Sequence, residues 1–122
     1  MITPEWKELL VAVARAGANH AEQVADMDKT KETPLVMRDR FAAAEDHLTN
    51  GVPLTKEDFN YLWIAASISK MLIQKKINAW EAVVKNYNSH LLPNLYAIAS
   101  APTDEERQAK FEEVFGKNFD KI

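Results

Sequence analysis

Three histidines, His20, His47 and His90, are the residues of this chain best suited to move protons or bind a metal ion. His20 falls on the apolar stripe of a helical pattern, with Glu22 and Asp26 close by in sequence. A metal site there needs at least two further ligands aimed at one point, and no HExxH or Glu-x-x-His spacing provides them. His47 follows Glu45 and Asp46, which suggests acid–base work. Adjacent helical residues point in different directions, however, and a histidine in the last turn of a helix is favoured by the macrodipole alone. The chain therefore reads as a non-enzyme, with no catalytic residue, metal ligand or cofactor site assigned.

Other chemistries are narrowed by composition. With no cysteine, the chain has no thiol nucleophile, disulfide framework or Cys-ligated metal site. Its three glycines, Gly17, Gly51 and Gly116, are isolated, so no phosphate-cradling loop can be built from them. Lys70, Lys75, Lys76 and Lys85 give one segment a basic aspect, and Trp63, Trp80 and Tyr87 are aromatics that could stack on bases. Those aromatics belong to an apolar stripe from which the lysines mostly diverge, which argues against nucleic acid as a partner.

The densest cluster of uncharged hydrogen-bonding groups is Asn86, Asn88, Ser89 and His90, around Tyr87 and shortly before Pro93. Neutral polar groups at a helix break, backed by aromatics, are what a ligand pocket between helices uses. These four residues are the candidate lining of such a pocket.

The elements that position these groups read as helices throughout. Thr3-Pro4 is a helix start signal, and Trp6, Leu10, Val13, Gly17, His20, Val24 and Met27 follow at alternating four- and three-residue steps. Thr33-Pro34 repeats the signal for a second helix with Met37, Phe41, Ala44 and Leu48 on one face, stopped at Asn50-Gly51. Thr55 with Asp58 resembles a capping box for a long helix over about 56–92, whose stripe runs Phe59, Trp63, Ala66, Ile73, Ile77, Trp80, Val84, Tyr87 and Leu91. A kink or break is expected between Asn86 and Asn94, followed by a short helix after Pro93. Thr103 with Glu106 opens a last helix whose buried stripe is Phe111, Val114 and Phe115, leaving Phe119 and Ile122 to pack loosely. The first helix is rich in small residues around Gly17, so it is expected to pack closely against the long one, opposite large partners such as Trp63 or Trp80.

The fold class is thus all-α: one domain over residues 1–122, an antiparallel bundle of four main helices with a long central helix and a short helix after Pro93. A long helix of about 55 Å exceeds what a domain with a radius of gyration of about 14 Å can cover. Excess apolar surface at Trp80, Val84, Tyr87 and Leu91 then points to a homodimer interface. The expected function is that of a small interaction or regulatory protein, an adaptor or inhibitor of phage or immunity type, acting through a protein surface. The alternative is a protein that binds or sequesters a metabolite or nucleotide near the end of the long helix. The N-terminus lacks the charged-then-apolar pattern of a secretory signal, and no stretch approaches the ~20 apolar residues of a membrane span. A soluble cytoplasmic protein is expected, with no membrane partner.

Overall fold

The structure is a computed structural model that describes residues 2–28, 30, 32–73 and 90–117; in the third helix, side chains are described through residue 68. Those residues form α1 (Pro4–Met27), α2 (Thr33–Asn50), α3 (Lys56–Ile73), α4 (Leu92–Ala99) and α5 (Asp104–Phe115). The fold is all-helical. Among the described residues there is no strand, and no helix is long and apolar enough to cross a membrane.

Local chemistry accounts for most of the ends. The Thr3 hydroxyl accepts the Trp6 amide, and Pro4 sits in the first turn, where its missing N–H has no partner to lose. Gly51 ends α2 at φ 68, in the left-handed region that a Cβ disfavours. Thr103 accepts the Glu106 amide at the start of α5. α2 departs from expectation, because its helix already includes Thr33 and its cap position is Glu32, which makes no side-chain capping bond. α4 begins at Leu92, so Pro93 lies inside the first turn. There it lacks only a donor that the helix would not use. His90 and Leu91 form a π turn leading into α4, within the window where a break was expected; the course of the long helix over 74–89 lies outside the described residues.

Paired side chains fix the directions of neighbouring helices. Along α1 and α2, Lys7 meets Thr49, Arg15 meets Glu45 and Glu22 meets Arg38, so these two run antiparallel. His47 with Asp58 and Phe41 with Tyr61 give the same sense to α2 and α3. The first helix does pack on the third, at its small residues. A Cβ on Gly17 would lie 2.9 Å from Ala65 Cβ and 3.0 Å from a ring carbon of Phe41. At Gly17 the large neighbour is Phe41 on the second helix and the third helix presents Ala65, while Trp80, one of the large partners expected, lies outside the described residues.

The buried face of α1 also turns away from the expected stripe. Ala21 and Ala25 are buried, while Val24 is exposed and Met27 is 85% exposed. A straight helix repeats every 3.6 residues, so a stripe alternating four and three drifts by about 20° per heptad. Past Gly17, steps of four to Ala21 and Ala25 keep facing the core. Phe41, Phe59, Leu62, Leu91, Leu95, Phe111 and Phe115 complete that core with Trp6, Leu10 and Val13.

The chain closes on itself near its two ends. The Thr3 amide donates to the Phe115 carbonyl at 2.9 Å, and the Trp6 indole N–H donates to the Lys117 carbonyl at 2.7 Å. α5 is thereby held against the start of α1.

Candidate functional site

The α2–α3 connection brings together two residues that sequence reasoning kept apart. His47 lies in the last turn of α2 and Asp58 in the first turn of α3, with Nδ1 and Oδ2 2.7 Å apart. Asp58 is held by a complete capping box: its amide donates to the Thr55 hydroxyl at 3.1 Å, and its Oδ2 accepts the Thr55 amide at 2.9 Å. The carboxylate is only 4% exposed. Two donors, the Thr55 amide and His47 Nδ1, therefore fix it, and a buried carboxylate so placed orients the imidazole beside it. An ionised carboxylate only accepts, so Nδ1 carries the proton and the neutral ring keeps Nε2 as an acceptor.

The His47 ring lines a cleft of about 640 Å³. The start of α1 contributes Ile2, Pro4 and Lys7. The end of α2 and the connector add Leu48, Gly51, Val52, Pro53 and Leu54, and α5 closes the other side with Gln108, Phe111 and Glu112. The walls are mainly apolar, with a few polar groups among them. The Lys7 ammonium donates to the Thr49 carbonyl at 3.3 Å, the position where a cation complements a helix C-terminus. The Gln108 amide donates to Glu112 Oε1 at 3.4 Å, while Gln108 Oε1 is closed off from solvent without a hydrogen-bond partner among the described residues.

The residues singled out from sequence are placed differently. His90 is half-buried, with its ring 5.6 Å from Trp6 and 6.1 Å from Phe115. The Asn94 amide approaches its Nδ1 at 3.2 Å, leaving the proton on Nε2, which is enclosed without a well-formed hydrogen bond. Burial lowers its pKa, because the charged ring would lose its water; the Val114 backbone opposes this only in part. Asn86, Asn88 and Ser89, the other residues of that candidate pocket, lie outside the described residues, and the cleft at His47 does not include His90. Of the candidate interface, Trp80, Val84 and Tyr87 also lie outside the described residues, and Leu91 is fully buried within the chain's own core. Phe119 and Ile122 are likewise outside them. His20 stays partly exposed on α1, and no group of three or more His, Cys, Asp or Glu able to hold a metal ion occurs among the described residues.

Sequence reasoning set His47 aside by considering only Glu45 and Asp46, its neighbours on one helix. A short connector between antiparallel helices places the last turn of one against the first turn of the next. With α2 ending at Gly51 and α3 capped at Thr55, His47 and Asp58 were the polar residues to compare.

Comparison with protein-family models, with curated proteins and with solved structures found no match for this chain.

Proposed function

We propose that the chain is a non-enzymatic binding protein whose working site is the cleft beside His47, and that it takes a small, mostly apolar molecule there. The observation that carries this reading is the cleft itself, at about 640 Å³ within the range of ligand pockets and lined by apolar walls with few polar groups. The oriented His47–Asp58 pair supports it, since a buried carboxylate that fixes one ring nitrogen makes the other a defined recognition point. The scaffold behind the site is taken as an antiparallel bundle of four main helices, supported by the opposite directions of α1 and α2 and of α2 and α3. A soluble cytoplasmic protein belongs to the same proposal, on sequence grounds.

Thermal-shift screening with uncharged, largely apolar metabolites tests the reading, with Val52→Trp as the blocking variant. Val52 lines the cleft and is largely exposed, so an indole there fills space without breaking the core. Stabilising ligands that lose their effect in Val52→Trp support the site. An absence of ligands, or ligands indifferent to the variant, overturns it.

A second reading keeps the regulatory or inhibitory function through a protein surface, with self-association. It is favoured by exposed apolar residues where α1 meets α2: Val24, Met27, Leu35 and Val36. Light scattering over a concentration series tests it, and a dimer reduced to monomer by Met27→Glu with Val36→Glu is its expected outcome. A strict monomer of the unaltered chain removes self-association from that reading.

A further inference from the structure

The cleft offers one oriented acceptor. With Nδ1 committed to Asp58, the neutral His47 ring turns Nε2 into an acceptor. Across the cleft, the Gln108 amide donates to Glu112, and its Oε1 is enclosed, with no donor among the described residues. The charged groups at the rim, Lys7 and Glu112, have opposite signs and favour no single ligand charge. Leu48, Leu54 and Phe111 supply apolar wall.

We propose that the ligand is an uncharged, largely apolar molecule bearing a hydroxyl that donates to His47 Nε2. This rests on the small-molecule reading of the cleft. A carboxylate in the same place sets its lone pairs against Nε2. A hydrocarbon of the same shape covers Nε2 and leaves it without a donor, so desolvation discriminates against it.

The test is an NMR titration of the full chain with benzyl alcohol, toluene and benzoate, which share a ring and differ in the group presented to His47. While the His47 ring is neutral, benzyl alcohol is expected to bind about five- to tenfold more tightly than either of the others, the scale of one hydrogen bond. The His47 ring and Gln108 side-chain signals move with it. In His47→Leu, checked as folded by its amide spectrum, the preference for the alcohol over toluene disappears.

Equal binding of the three at the cleft leaves the small-molecule reading standing and overturns the hydroxyl. Preference for benzoate while the ring is neutral does the same. No perturbation of cleft signals by any of the three overturns both.

Discussion

The imidazole of His47 and the carboxylate of Asp58 stand 2.7 Å apart across the α2–α3 connector, and the same Oδ2 accepts the Thr55 amide that caps α3. One oxygen thus links the end of one helix, the start of the next and the wall of the cleft. Removing Asp58 leaves two donors unpaired, whereas removing His47 leaves the cap intact. Asp58→Ala is therefore expected to cost about 2–3 kcal/mol and His47→Ala about 1 kcal/mol. Urea unfolding of both single variants and the double variant should give a coupling of about 1 kcal/mol. Additive losses would show that the pair contributes nothing jointly.

At Gly17, α1 lies close against both α3 and α2. A methyl there meets Ala65 Cβ at 2.9 Å, and Ala65 has no flexible end to move aside. Alanine normally gains about 1 kcal/mol over glycine within a helix, but overpacking costs about 1–3 kcal/mol. Gly17→Ala is expected to lower stability on balance, and Gly17→Leu to lower it further. Ala65→Gly should recover part of the Gly17→Ala loss, measured by melting temperature. A stabilised Gly17→Ala would mean that the helices part at little cost.

The all-helical class, most caps and the α1–α3 contact were legible because they depend on local chemistry: Thr3-Pro4, Thr55 with Asp58, Gly51, and the run of small residues around Gly17. The facing of side chains late in α1 was not, since a periodicity read as alternating steps accumulates angular error, and Val24 and Met27 fell outside the core while Ala21 and Ala25 entered it. The cleft was illegible for a different reason. It is assembled from Ile2, Leu54 and Phe111, which are far apart in sequence and meet only because α5 is tied to the start of α1. Apolar residues in short connectors, such as Val52 and Leu54, carry no periodic signal that would mark them as pocket walls.

That tie between the chain's two ends should be measurable. Trp6 is fully buried, and its indole donates to the Lys117 carbonyl at 2.7 Å. Trp6→Phe removes the donor and some volume, for an expected loss of about 1–2 kcal/mol. Hydrogen exchange at the Thr3 amide, which donates to the Phe115 carbonyl, should accelerate in the variant by more than the global loss of stability explains. Exchange tracking global stability alone would show that this end of the bundle does not open separately.

His90 makes stability depend on pH. Its described neighbours are neutral: the Trp6 and Phe115 rings, the Asn94 amide and the Val114 backbone. Burial outweighs the Val114 backbone contact, which favours the charged ring, and holds its pKa below the ordinary value of 6.5. In the unfolded chain the ring takes up its proton near pH 6.5, whereas in the folded chain it does so only at lower pH. Between those two values the unfolded chain binds more protons, so stability falls as pH drops below about 6.5 and this contribution levels off once the folded ring is protonated. Above 6.5 the ring adds no slope. His90→Gln replaces it with a neutral polar side chain, and its melting temperature should decline less than that of the unaltered chain between pH 7.5 and 5. Parallel declines would assign the acid sensitivity to other groups.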